Sequence, residues 1–443
     1  MQEQATYNYE RWMVATIISV LLIVLLYFIP RSNFIATYGI FITFFGLYYF
    51  VVKRVRLFSF RFCIGLGITL RLIALFSIPA LSDDYFRFIW DGKMTLLHVN
   101  PFQYSPAEYL HLHGTSPYLQ HLYDKMNSPE YHTIYPPVMQ FIFVIAAFIG
   151  HNNDWVAVIV MKLFILAAEV GTMRILFLLS KQHGFDPRNA LWYILNPLII
   201  VELSGNAHFE GILLFFFALF LYFLNNKKIV AAALFWMLAV CTKLIPLMLA
   251  PLILRYLGLK RSLLFGSVSI VAAALLFFPF FNWHLVKDIN ESFKLFYHVF
   301  EFNASVFYFI RWIGYFNVDY DIIEEVAPIL GVITMLGIFL ISFWPSKKYS
   351  FIEKSLWIFS VYFLFSTLVH PWYSSILILL AAISRFRFPV IFSLLILLSY
   401  YPYSMKEYNE DNSLWMVAIE YMLLFAFIAW EAFYLKKRKE LVF

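Results

Sequence analysis

Apolar runs of helical length recur along this chain from Trp12 to Tyr434, each long enough, or nearly so, to cross a hydrocarbon layer of roughly 30 Å as a helix. In lipid every backbone N–H and C=O must find its partner within the protein, so only helices and closed barrels span. A barrel would show segments of about ten residues alternating apolar and polar. The runs 17–29 and 211–224 do not alternate. Composition agrees, with 62% hydrophobic and only 14% charged residues, where a soluble domain carries about a quarter charged. The expected fold is all-α, a polytopic transmembrane helical bundle of about 12 to 15 membrane helices, forming a single transmembrane domain over residues 1–443.

A net charge of +6 would raise nucleic acid as a partner for a soluble protein, but here Lys and Arg fall mostly in short loops between apolar runs. That is the positive-inside pattern, so charge reports topology and the expected partner is the bilayer, with no nucleic acid. The densest basic cluster, Lys53, Arg54, Arg56 and Arg61, is placed in the cytoplasm. Loop 82–132 then lies outside, as does a second outer segment, 283–325, with an interfacial helix expected around 291–302. Later basic loops, from Lys181–Arg188 to Lys436–Lys439, fall inside by the same rule. Runs 134–149 and 155–180 cannot both span without carrying Lys181 and Arg188 outside, so 134–149 is expected as a short or re-entrant helix. Cys63 and Cys241 both sit in apolar runs, which indicates neither a disulfide framework nor a zinc site. The first apolar run follows Glu3, Glu10 and Arg11 and precedes no small-residue cleavage site, so it is read as a retained anchor.

The outer loop opens Ser-Asp-Asp-Tyr-Phe-Arg-Phe-Ile-Trp-Asp-Gly from Ser82 to Gly92. In a helix, Asp84, Arg87 and Asp91 fall within about 60° of one another, so two carboxylates would flank one guanidinium. A partly desolvated carboxylate beside a cation can act as a general base or help to hold a divalent cation, for which Asp83 and Asp84 are the candidate ligands. The plainer alternative is a solvated helix face with one Asp–Arg pair.

Further elements follow in order: Asn100–Phe102, Tyr135–Pro137, Asn196–Pro197, Gly205–Asn206 and Lys243 to Pro246. With Asp83–Asp84 and Asp91 they form a series that resembles the GT-C glycosyltransferases, integral membrane enzymes that use a polyprenyl-phosphate sugar donor. The nearest likeness is to the mannosyltransferases that include the first GPI mannosyltransferase and the bacterial polyprenol-phosphomannose-dependent α-1,6-mannosyltransferases. It covers residues 82–250. The acidic motif of that family is often Asp-x-Asp, whereas Ser82 stands here in the first position. The resemblance implies Asp84 as catalytic base, with Asp83 and Asp91 beside it. Among the substrate residues it implies Tyr135, Asn100, Asn206 and Lys243, the last as a contact to the donor phosphate.

Other polar residues are weighed beside these, because charge in hydrocarbon is costly and faces a cavity or a partner. Lys243 divides two apolar halves and either meets that phosphate or snorkels to headgroups. His208 and Glu210 flank the turn after Asn206, as site residues or helix caps. His370 opens an outer loop. Arg87, Arg71 and Arg311 are further phosphate candidates. Glu169 and Arg174, five residues apart, do not share a face, and Glu169 is expected to pair with another helix.

The implied reaction is an inverting transfer of a hexose, mannose above all, from a polyprenyl-phosphate donor to a lipid-linked glycan or protein acceptor. It would take place on the outer side of a bacterial cytoplasmic membrane. No Gly-rich phosphate loop or Rossmann fingerprint is present for a nucleotide sugar. A transporter or flippase would show paired broken helices in two repeated halves, and an O-antigen ligase or polymerase would be expected to have its largest outer loop in the second half. Here the acidic loop comes early.

Overall fold

A computed structural model describes residues 2–54, 57–281, 300–314, 322–345, 348–405 and 413–440. The described residues are helical, with no strand beyond one isolated bridge between Phe302 and Leu368. The first helices are α1 (Gln2–Tyr27), α2 (Phe34–Lys53), α3 (Phe60–Leu75), α4 (Asp84–Leu96), α5 (Pro106–His113), α6 (Pro117–Lys125), α7 (Pro137–Gly150) and α8 (Asp154–Gln182). A short α9 (Leu191–Ile194) and a π-helical turn over Ile199–Gly205 lead to α10 (Glu210–Asn225), α11 (Ile229–Val240), α12 (Ala250–Leu257) and α13 (Leu259–Phe277). The chain ends with α14 (Val306–Gly314), α15 (Ile323–Phe343), α16 (Phe351–Phe365), α17 (Ser375–Ala382), α18 (Phe388–Leu395) and α19 (Leu414–Glu440).

Among the described residues, six helical segments are long and apolar enough to cross a membrane: Tyr9–Tyr27, Phe34–Lys53, Asp154–Gln182, Leu259–Phe280, Ile323–Phe343 and Leu414–Lys437. The π-helical turn and α10 together pass the same test as a pair bent by 113°. The protein is thus an all-α integral membrane protein. Several other runs read from the sequence as crossings fold as apolar helices of 10–17 residues, namely Ile229–Val240, Ile245–Leu257, Pro371–Ala382 and Phe388–Ser404, and Pro137–Gly150, expected as a short or re-entrant helix, is of the same length class. α7, at 14 residues, is roughly 21 Å long, well short of a hydrocarbon core. The expected interfacial helix around 291–302 lies almost wholly outside the described residues.

The chain forms two compact units. The first comprises Met1–Ile73, Leu176–Glu202 and Phe300–Phe443. Its buried polar groups are bonded internally: Tyr48 donates to the Trp192 carbonyl at 2.8 Å, and Asn196 donates to Ser393 Oγ at 2.9 Å. Arg71, the phosphate candidate of α3, is 1% exposed and donates to the Gly67 and Ile194 carbonyls, which marks it as a brace of this unit.

The second unit comprises Ala74–Ile175 and Leu203–Val299. α4 lies against α7 so closely that a Cβ on Gly92 would stand 2.2 Å from the Phe143 carbonyl oxygen, so only glycine fits there. Glu169 of α8 faces Gly211 of α10, consistent with the expected helix-to-helix role. Lys162, an intramembrane cation that the sequence reading passed over, donates to Ala74 O, Ser77 O and Ser77 Oγ at 3.0, 2.6 and 2.9 Å. A cation at the carbonyl end of α3 satisfies orphan acceptors and opposes the helix dipole. It fixes where the chain leaves α3 for the acidic loop.

Candidate active site

Every residue of the acidic cluster belongs to the second unit. The approach to α4 is set by Asn206, whose Oδ1 accepts the Ala80 and Leu81 amides at 3.1 and 3.0 Å. Ala207 follows it with φ +58, a left-handed conformation that costs an L-residue free energy and occurs where the surroundings enforce it. Ser82 Oγ accepts the Asp84 amide at 3.3 Å, so the residue that replaces the first acid of the motif caps the first turn of α4. Asp83 occupies the N-cap position without a side-chain cap bond, and Asp84 is the first residue of the helix. A carboxylate there is favoured by the positive end of the helix dipole.

The face expected from the sequence is present, but its partners differ from that reading. Arg87 Nε donates to Asp91 Oδ1 at 2.9 Å, and its Nη1 donates to the Ser128 and Tyr131 carbonyls at 3.0 and 2.8 Å. Asp91 is 1% exposed and also accepts Thr133 Oγ1 at 2.5 Å and Gln140 Nε2 at 3.0 Å. Its oxygens are filled, so Asp91 works as the hub that binds α4 to the segment after α6 and to α7. Asp84 is only partly covered; its carboxylate accepts a hydrogen bond from Asn127 Nδ2 at 3.1 Å, and the Ser82 hydroxyl is its other side-chain donor.

Burial pushes the Asp84 carboxyl above the ordinary aspartate value, and Asp83 adds to that, while the Asn127 bond, the Lys243 ammonium and the Ser82 hydroxyl oppose it. Lys243, in the turn after α11, forms an ion pair with Glu210 at the start of α10. The Lys243 side chain is 18% exposed and that of Glu210 4%. The Tyr135 phenol stands in the same field: burial holds it well above its ordinary value, with Asp84 the next cause, Arg87 opposing it, and Asp91 and Glu210 adding to it. Its ring packs edge-on to Phe88 and Phe143. Asp84, Lys243, Glu210 and Tyr135 therefore form one electrostatic group drawn from α4, the turn after α11, α10 and the entry to α7.

The remaining candidates fall elsewhere. Asn100 Oδ1 accepts the Phe102 amide at 3.1 Å and its Nδ2 donates to the Phe280 carbonyl at 2.7 Å, a tether within the second unit. His208 is 2% exposed, in the break before α10. Arg311 and His370 belong to the first unit. Arg311 is buried and ion-paired with Glu301. His370 stacks on Trp372, with ring centroids 4.4 Å apart, and against Phe302 at 4.8 Å. No group of three or more His, Cys, Asp or Glu side chains among the described residues is arranged to hold a metal, so Asp83 and Asp84 would be the only such ligands to a cation at this site.

The sequence reading missed Asn127, Thr133, Gln140 and Lys162. Gln140 and Lys162 carried a signal, since a polar group inside an apolar run needs a partner. Asn127 carried none.

The protein is thus an all-α membrane protein whose cluster sets two acids at the starts of α4 and α10 and an ammonium just after α11. The family model described as alpha-(1->6)-mannopyranosyltransferase, N-terminal domain, matches residues 29–258, more than half of the chain, and the protein belongs to that family of GT-C-type mannosyltransferases. No curated protein matches the chain. The matched region contains the whole Asp84 cluster and ends before Arg311 and His370.

Proposed function

We propose that this mannosyltransferase draws its sugar from a polyprenyl-phosphate donor and transfers it with inversion to an acceptor hydroxyl on the extracytoplasmic face, with Asp84 as general base. The observation that carries the reading is the contrast along α4: Asp91 is fully buried among protein donors, while Asp84 is partly exposed, held by the Asn127 amide and the Ser82 hydroxyl, and stands in the field of Lys243. Asp84 takes the proton of the acceptor hydroxyl as that oxygen bonds to the anomeric carbon. The bond from that carbon to the phosphate oxygen breaks, and its electron pair leaves with the lipid phosphate. Lys243, oriented by Glu210, sits where an ammonium can offset the charge gained by the phosphate. Asn206 holds the segment that carries the acids, and Tyr135 closes the group from the entry to α7. The acceptor class is a lipid-linked glycan or a protein.

Purified protein incubated with radiolabelled polyprenyl-phosphate mannose, glucose or arabinose and candidate acceptors tests the reading. Transfer from the mannose lipid is expected. Transfer from a nucleotide sugar alone would sink the donor assignment. The face is tested by a cysteine at Thr115, expected to react with an impermeant maleimide in intact cells, against one at Asn226, expected to react only after permeabilisation. The native Cys63 and Cys241 are buried, which keeps the background low. The reverse pattern would move the site to the cytoplasm.

A further inference from the structure

The segment that follows α6 runs along the same face of α4 that bears the two carboxylates, and meets it in order. Asn127 meets Asp84, the carbonyls of Ser128 and Tyr131 meet Arg87, and Thr133 meets Asp91. Its other side is fixed as well: the Pro129 carbonyl accepts the Ala107 amide of α5 at 3.0 Å, and His132 lies 3.5 Å from Glu108 of the same helix. α5 is in turn closed by a capping box between Ser105 and Glu108. Residues 127–133 are thus held from two sides by side-chain and backbone bonds. Asn127 itself is exposed, yet it stands at the end of this braced segment, above the proposed base.

From this placement we infer that Asn127 is a positioning residue for the transfer reaction: its side-chain amide fixes Asp84 Oδ1 and turns Oδ2 toward the acceptor hydroxyl. The inference rests on the reading of Asp84 as base. An N–H donated to a carboxylate favours its ionised form, so the same bond that aims the base also keeps it able to accept a proton. The charged and titratable groups facing Asp84 are Asp83 beside it, Lys243 and the Tyr135 phenol; Ser82 adds a hydroxyl. Asp83 and burial work against ionisation. Asn127 and Lys243 work for it. The Arg87–Asp91 bond, buried one turn further along α4, holds the segment in register and so acts on the base only through Asn127.

The test is steady-state kinetics of the purified full-length enzyme over a range of pH with Asn127→Ala and Asn127→Asp. Alanine removes the donor and is expected to lower kcat by about 10- to 100-fold, the range for a hydrogen bond to a charged group, with the donor KM little changed. The acid limb of kcat/KM should move to higher pH, because an amide that favoured the carboxylate is gone. Aspartate is isosteric but offers an acceptor and a charge, so its acid limb should move further in the same direction. Serine, which keeps a donor, should restore part of the rate. A merely structural asparagine at an exposed site would tolerate aspartate and leave the pH profile in place. If Asp84→Asn is inactive while both Asn127 variants keep the wild-type kcat and acid limb, this inference is overturned and the base assignment stands. If Asp84→Asn retains full activity, the base assignment falls and takes this inference with it.

Discussion

Asp84 and Asp91 stand seven residues apart on one face of α4, and helical spacing alone does not separate them. Their surroundings do. Asp91 is 1% exposed and accepts bonds from Arg87, Thr133 and Gln140. Asp84 is partly exposed, with Asn127 and the Ser82 hydroxyl as its side-chain donors. A carboxylate whose lone pairs are filled is stable and inert, because any substrate would have to displace a bonded donor. One that is partly exposed is aimed by its donors but still open to accept a proton. On the proposed reading, structure and chemistry are divided between two residues of the same type.

The largest expected effect breaks this comparison directly. Asp84→Asn should lower kcat by about 10²–10⁴-fold, the usual contribution of a general base, at nearly unchanged thermal stability. Asp91→Asn should do the reverse. It leaves the buried Arg87 without its counter-ion, a change that typically costs roughly 3–5 kcal/mol, so a lower melting temperature and a lower yield of folded enzyme are expected. Thermal unfolding in detergent and activity per folded molecule separate the two. Asp91→Asn protein that is fully stable but inactive would return Asp91 to the catalytic group.

Much of this was legible before any coordinates. The 3.6-residue period places positions 84, 87 and 91 on one face, apolar runs of membrane length give the helical class, and the order of motifs over 82–250 points to the family. Which acid Arg87 would choose was not legible. At helical spacing it can reach either, and the choice depends on Thr133 and Gln140, which lie more than forty residues on and fill the second oxygen of Asp91. Asn100 and Asn206 illustrate the same limit. Their motifs were visible, but the partners, Phe280 O for one and the Ala80 and Leu81 amides for the other, are set by tertiary contacts that no local pattern encodes. The lengths of the membrane helices were blurred for a related reason. Hydropathy marks apolar residues, and a short buried helix is as apolar as a span.

Next in size is Lys243, where catalysis and structure overlap. Lys243→Met should raise the donor KM and lower kcat, on the order of 10²–10³-fold for a lost electrostatic stabiliser. It also leaves the nearly buried Glu210 unpaired, so stability should fall too. Lys243→Met combined with Glu210→Gln should recover the stability without the activity. Recovery of both would mean that the pair serves the fold alone. Asn206→Ala should be milder: two amides at the entry to α4 lose their acceptor, at roughly 1–3 kcal/mol each if they stay buried. Both kcat and melting temperature are expected to drop, and an unchanged kcat would separate the acidic segment from its brace.

The smallest expected effect comes from a second asparagine–carboxylate pair, in the first unit, which sharpens the contrast with Asn127 and Asp84. Asn303, held at φ +50, donates its Nδ2 to Oε1 of Glu420 at 2.9 Å, and Tyr421 donates to the Asn303 carbonyl at 3.0 Å. Glu420 is fully buried in the span of α19, and among the described residues neither its Oε2 nor Asn303 Oδ1 has a hydrogen-bond partner. Here both side chains are buried, and the geometry lacks one donor. Glutamine at 420 supplies it: its carbonyl accepts Asn303 Nδ2 while its amide can donate to Asn303 Oδ1, closing a two-bond ring between the side chains. Glu420→Gln should therefore leave transfer activity unchanged and stability equal or raised by about 1 kcal/mol, the net worth of one added bond. Glu420→Ala, which strands the buried amide, should lower the melting temperature. Thermal unfolding of the two variants decides it: if glutamine destabilises as much as alanine, the charge of Glu420 rather than its shape holds α19 to Asn303, and the two asparagine pairs are alike after all.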